Sequence, residues 1–204
     1  MKLEDNVSIS TGNTKMGHIG SVSLPSRITC AEGVPCSRLC YAAKLERLRP
    51  SVREAYVHNL QVLKKDPERY WREVEGAIMM SRFFRFHVSG DIPDKEYLKE
   101  MVDIAERNPH CQILCFTKRY EMVSVYYGEH MGFPENLHII LSVWRDYPYV
   151  NPYRLPEAHV RYKDGTTTAR KRAKTCKGNC AECARVGEGC WSLEKGQQVV
   201  FDQH

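Results

Sequence analysis

A chain of 204 residues with 42% hydrophobic content can bury one sizeable core, and that length favours one domain or at most two. The opening MKLEDNVSIS carries early acids and no apolar stretch, so no signal peptide is expected, and no apolar run approaches the roughly 20 residues that span a bilayer. The expectation is a soluble, cytoplasmic protein with no membrane partner, and the formal charge of +5 permits a nucleic-acid partner without demanding one.

Residues 21–29 read as an opening strand. Apolar positions at Leu45, Leu48, Val52, Tyr56, Leu60 and Leu63 recur at helical steps and predict helix from Leu45 to about Met80. Asp66-Pro67 divides it, because proline suits a first helical turn; the second part carries Tyr70, Trp71, Val74 and Ile78. Residues 83–88 are an aromatic and β-branched strand ended by the turn Ser89-Gly90-Asp91. A helix over 95–107, a strand over 111–117, a helix around 120–127 and a strand over 137–143 follow. Residues 158–162 give a weaker strand signal and 198–202 a closing strand.

Strands alternating with helices predict an α/β fold with a parallel sheet. Five to six strands are too few for a complete eight-stranded barrel, so a partial (β/α) barrel is expected. From Tyr147 the composition turns to Pro, Gly, Thr and basic residues. The expected organisation is a barrel core over 1–146, an irregular cysteine-rich metal-binding segment over 147–197, and a closing barrel strand over 198–204.

Nine cysteines in a chain without a secretory signal point to metal or redox chemistry more than to disulfides. Cys111 and Cys115 sit in an apolar run and read as small core residues. The other seven form two groups. Cys30, Cys36 and Cys40 follow a Cx5Cx3C spacing, which can grip one face of a metal centre and leave a position open. Cys176, Cys180, Cys183 and Cys190 are four thiolates with no histidine among them, a set that suits either a closed zinc site or a 4Fe–4S cluster.

In parallel α/β folds ligands bind beyond the carboxyl ends of the strands. Cys30, Asp91, Lys118 with Arg119, Trp144 with Arg145, and His204 follow successive predicted strands, so they are expected to meet on one rim. Asp91, Lys118 and His204 are the candidate catalytic groups, and Trp144 is placed to stack on a base. His87 is expected to be a hydrogen-bonded core histidine, and Trp191, next to Cys190, to shield a cluster.

The stretches Asn13-Thr-Lys15-Met-Gly17, Ser23-Leu-Pro25 leading to Cys30, Cys40-Tyr41-Ala42, Phe86-His87-Val-Ser89-Gly90-Asp91, Phe116-Thr117-Lys118, Leu141-Ser142, the last cysteine group and the terminal Phe201-Asp-Gln-His204 resemble the phage-encoded gene product 88 family. More distantly the chain is similar to the radical S-adenosylmethionine (SAM) superfamily, whose usual motif is Cx3CxxC rather than the Cx5Cx3C found here. The second resemblance implies a 4Fe–4S cluster on Cys30, Cys36 and Cys40, SAM at the open iron, cleavage to a deoxyadenosyl radical, and an auxiliary cluster on the last four cysteines. It matches the segment holding the amino group of SAM to Ser89, Gly90 and Asp91; Trp144 and Arg145, placed on the same rim by the strand-end rule, complete the candidate cofactor site.

Three readings stand side by side: a radical SAM-like enzyme of unknown substrate, a non-catalytic or electron-transfer iron–sulfur protein, and a zinc-dependent nucleic-acid-binding module. The third rests on Arg170, Lys171, Arg172 and Lys174, a run able to contact phosphates.

Overall fold

The computed structural model describes residues 6–203, so the expectation at His204 lies outside the described residues. One sheet runs through them, built from β1 (Ile9–Ser10), β2 (Gly20–Val22), β3 (Phe83–Phe86), β4 (Gln112–Thr117), β5 (Leu137–Val143), β6 (Glu157–Arg161), β7 (Lys174–Thr175) and β8 (Gln198–Asp202). Its order is β1-β2-β3-β4-β5-β6-β8-β7, with β1 and β7 at open edges. Only β1 with β2 is antiparallel; every other pairing is parallel. The sheet thus has eight strands where five to six were expected. The additional β1 and β7 are two residues long, too short to show an alternating pattern.

Strands β2 to β6 lie side by side in chain order, so each crossover steps the same way, and those from β2 to β5 carry their helices to the same face. That face packs on α4 (Pro67–Met79), α5 (Lys95–Arg107) and α6 (Tyr120–His130) through Phe84, Phe86, Ile113, Ile139 and Leu141. Cys111 and Cys115 are fully buried in this core, as small hydrophobes should be. The opposite face presents Leu114, Ile140, Ala158 and Val199 to Met16, Ile19, Trp191 and Leu193. Two separate apolar layers therefore sandwich the sheet.

Three local expectations need correction. The strand expected over 21–29 stops at Val22, and α1 (Ser26–Thr29) follows. Pro25 has no N–H for a ladder and starts that helical turn instead. The helix expected from Leu45 is two, α2 (Tyr41–Leu48) and α3 (Pro50–Lys65). Pro50 forces Arg49 out of helical geometry, to φ −131° and ψ 92°. The segment over 147–197 is less irregular than its composition implies. It contains β6, β7 and α7 (Cys180–Val186), and β6 lies between β5 and β8 in the sheet.

Candidate metal centre and interior cavity

The three-cysteine group is assembled just after β2. Helix α1 ends at Cys30, a 3-10 turn over Pro35–Leu39 carries Cys36, and Cys40 caps α2, its sulfur accepting from Ala43 N–H at 3.4 Å. Burial pushes the Cys30 thiol up to about 12, with Asp91 adding to the rise and Lys118 opposing it. Without a metal Cys30 is therefore a neutral thiol at pH 7, and metal binding must displace its proton.

The four-cysteine group is tied into the sheet and the N-terminal loop by backbone bonds. Cys176 N–H donates to the Val200 carbonyl at 2.8 Å, and Cys180 N–H to the Lys15 carbonyl at 2.9 Å. Asn179 caps α7 by accepting from Glu182 N–H at 3.0 Å, which sets Cys180 and Cys183 on one helical turn. Cys190 sits on the 3-10 turn Gly189–Ser192 beneath the buried Trp191. Gly189 has φ +65°, and a Cβ there would lie 2.9 Å from the Cys183 sulfur, so a side chain would crowd the thiol. Burial, then the neighbouring Cys176 and Cys180, pushes the Cys190 thiol up to about 12.

All seven grouped cysteines line one cavity of about 850 Å³, between the apolar face of the sheet and the two cysteine segments. None of the nine cysteines is in a disulfide. Among the described residues, no group of three or more His, Cys, Asp or Glu side chains is arranged to hold a single metal ion. Trp191 packs edge-on to Phe83 at 5.0 Å and shares its apolar layer with Cys176, Cys180, Cys183 and Cys190.

Of the rim residues singled out from sequence, Ser89, Gly90, Lys118 and Trp144 line this cavity with Cys30, while Asp91 and Arg145 do not. Gly90 takes φ +84°, and a Cβ there would lie 2.6 Å from Thr29 Oγ1 and 2.7 Å from the Leu24 carbonyl oxygen. Only glycine fits so close to the end of β2. The Lys118 ammonium stands 5.9 Å from the centre of the Trp144 ring. The Asp91 carboxylate accepts from Thr117 Oγ1 at 2.6 Å, Lys118 N–H at 2.9 Å and Ile92 N–H at 2.8 Å. It clamps the ends of β3 and β4 together. Arg145 is held outside, bonded to Asp164 at 2.7 Å and stacked 4.0 Å from the centre of the Tyr162 ring.

Three other residues shape the cavity without having been singled out for it. Buried Glu46 of α2 accepts from Ser89 Oγ at 2.7 Å and from Ser26 N–H at 3.1 Å. The Tyr41 hydroxyl donates to the Val88 carbonyl. Arg85 projects from the middle of β3 into the cavity. His87, expected as a hydrogen-bonded core residue, is buried with no hydrogen-bond partner on either ring nitrogen and has φ +60°. Burial, reinforced by the Arg85 charge, pushes its pKa down to about 3. The left-handed backbone after β3 turns its ring toward Tyr97, 5.3 Å away, and the Ser89 backbone is the polar group beside it, opposing the downward shift.

An open, mostly parallel α/β sheet with seven cysteines around a cavity on one of its faces defines a cysteine-lined α/β protein. The chain belongs to the gene product 88 family, which it matches over residues 2–189. It is 27% identical over 129 residues to the Gene 88 protein of Mycobacterium phage L5, covering 56% of this chain and 54% of that one. It is 26% identical over 129 residues to the Gene 88 protein of Mycobacterium phage D29, covering 56% and 53%. The chain spans about half the length of these curated relatives. No solved structure matches it.

Proposed function

We propose that this is an iron–sulfur protein and a small radical SAM-like enzyme, with its cluster on Cys30, Cys36 and Cys40. The observation that carries the reading is that these three thiols face the same cavity as Ser89, Gly90 and Lys118. The parallel strand order is the one a partial (β/α) barrel would have. Cys30, Cys36 and Cys40 would hold the 4Fe–4S cluster, which when bound would supply one-electron reducing chemistry toward SAM. The chain's own part is to seat that ligand: Gly90 gives close backbone approach, Trp144 offers a face for the adenine, and Lys118 offers a cation. The structural duty of Asp91 removes it from direct ligand contact in this scheme.

Cys176, Cys180, Cys183 and Cys190 would hold a second cluster, with zinc as the alternative there. A polynuclear cluster places its own irons and sulfides between the thiolates, so it accepts a wider spread of sulfurs than one ion does. A second reading is that the clusters only brace the fold or carry electrons. The hydrogen bonds from Cys176 and Cys180 to β8 and the N-terminal loop favour a bracing role for the last group in either case. For a nucleic-acid partner, the supporting feature is that Arg170, Lys171, Arg172 and Lys174 are all exposed.

The test is anaerobic reconstitution followed by iron, sulfide and zinc counts, then electron paramagnetic resonance of the reduced protein with and without SAM. The enzyme reading expects a SAM-dependent change and release of 5′-deoxyadenosine with dithionite, both lost in Cys36→Ala. An unchanged spectrum at saturating SAM on a loaded cluster leaves the bracing reading. Stoichiometric zinc without labile sulfide ends both iron readings.

A further inference from the structure

Arg85 occupies a position that sequence alternation would assign to solvent. Its neighbours Phe84 and Phe86 point into the helix-side core, so Arg85 faces the opposite way. In this fold that direction is the interior cavity. Its register partners across the sheet are Ser21 and Leu114, neither of which carries a charge. The guanidinium lies 5.0 Å from the centre of the Phe116 ring, and its Nε is buried with no hydrogen-bond partner. Among the described residues Arg85 joins no ion pair; the ion pairs present join other residues.

A cation in an apolar setting with no counter-charge is costly, and a guanidinium is built to bind a carboxylate or phosphate through two parallel N–H bonds. The cavity as a whole leans the same way. Lys15, Arg85, Lys118, Lys174 and Lys177 line it against two carboxylates, Glu188 and Asp202, and Asp202 is already bonded to Arg161 at 3.3 Å. Its volume of about 850 Å³ lies within the roughly 300–1,000 Å³ of small-molecule sites.

We propose that the cavity is a binding site for a small molecule bearing an oxyanion, carboxylate or phosphate, and that Arg85 is the residue that grips this group. The inference deepens the proposed function by naming the ligand's chemical class. It requires the cavity to be the ligand site, whichever metal the cysteines hold. The competing account is that Arg85 only balances the negative charge of metal-bound thiolates, since it lies within electrostatic reach of Cys190.

Equilibrium dialysis of the metal-containing protein against radiolabelled inorganic phosphate, and separately against succinate, tests this and tells the two oxyanion sources apart. The wild type should bind at least one of them saturably at millimolar concentration. Arg85→Gln should weaken that binding by about tenfold or more. Arg85→Lys, which keeps the charge but loses the fork, should fall between. Lys163→Gln, an exposed charge outside the cavity, should bind as the wild type does. Metal content is counted in every variant, so the result is read independently of iron. Absence of saturable binding of both oxyanions to the wild type overturns the proposal. So does equal binding in Arg85→Gln and Arg85→Lys, including the case where Arg85→Gln only loses metal. Should Arg85→Gln fail to fold, the comparison of Arg85→Lys with wild type decides in the same way.

Discussion

The Ser89 hydroxyl donates to the Glu46 carboxylate at 2.7 Å, joining the turn after β3 to helix α2. Both residues are buried, and the same carboxylate also accepts from Ser26 N–H at 3.1 Å. One side chain therefore fixes α1, α2 and the Gly90 turn relative to the three-cysteine loop. Glu46→Ala would strand a buried hydroxyl and a buried N–H, and should lower the unfolding free energy by about 2–3 kcal/mol. Glu46→Gln keeps an acceptor and should cost less than half as much. Urea titration of both variants checks this; equal losses would mean that helix packing, and not the hydrogen bonds, holds α2.

The four-cysteine segment should depend on its metal. Its own apolar contribution is small, Ala184, Trp191 and Leu193 being its buried hydrophobic residues, so metal binding is expected to supply much of its folding free energy. Cys180→Ala removes one thiol and leaves the backbone bond to Lys15 available. Limited proteolysis should then cut between Lys163 and Cys190 while the helix-side core stays intact. Wild-type protease resistance together with wild-type metal content would show that this group is not a structural metal site.

The elements legible in the sequence were those long enough to show a period. Helix α5 and strands β5 and β8 fall where their patterns put them, because each buries a regular set of side chains. The break at Arg49-Pro50 was missed since the apolar positions of α2 and α3 happen to continue in phase. Grouping of the seven cysteines was readable from spacing, but their convergence on one cavity comes from the order of the strands, which spacing does not encode. The strand-end rule selected Asp91 and Lys118 alike. Only the hydrogen bonds to Thr117 and Lys118 show that Asp91 is occupied with joining strands. Alternation along β3 turns Arg85 away from Phe84 and Phe86 but does not say what lies beyond that face.

Acid stability should have a component centred on Glu157. Burial pushes this carboxylate's pKa up, but bonds from His159, Asn151 and Gln198 outweigh that and hold it down at about 2. With Glu157 ionised, His159 Nε2 donates to it at 3.0 Å and Nδ1 accepts from Thr168 Oγ1 at 2.8 Å. A group depressed in the folded state stabilises the fold above its ordinary pKa and loses that contribution as the pH falls toward the folded value. Stability should therefore drop between about pH 4.5 and pH 2, by on the order of 1 kcal/mol once partial solvent screening is allowed for. Glu157→Gln should remove this part of the pH profile in urea titrations, and an unchanged slope below pH 4.5 would rule the network out as its source.

His87 should account for a separate limb at higher pH. Its imidazole is buried with neither nitrogen in a well-formed hydrogen bond, and burial with the Arg85 charge, opposed by the Ser89 backbone, holds its pKa at about 3 against an ordinary 6.5. The unfolded chain takes up a proton below about pH 6.5 that the folded chain refuses until about pH 3. Unfolding therefore becomes more favourable as the pH falls through that window. His87→Phe keeps a ring against Tyr97 and Phe86, now at 5.3 and 6.0 Å, and removes both stranded nitrogens. It should raise stability at pH 5 by roughly 1–2 kcal/mol and flatten the profile between pH 6.5 and 4.5, leaving the Glu157 limb in place. The left-handed backbone at φ +60° is retained, so its strain cancels in the comparison. Destabilisation by a similar amount at every pH would mean that the imidazole does hold a polar partner in solution, and would direct attention to the cavity it lines.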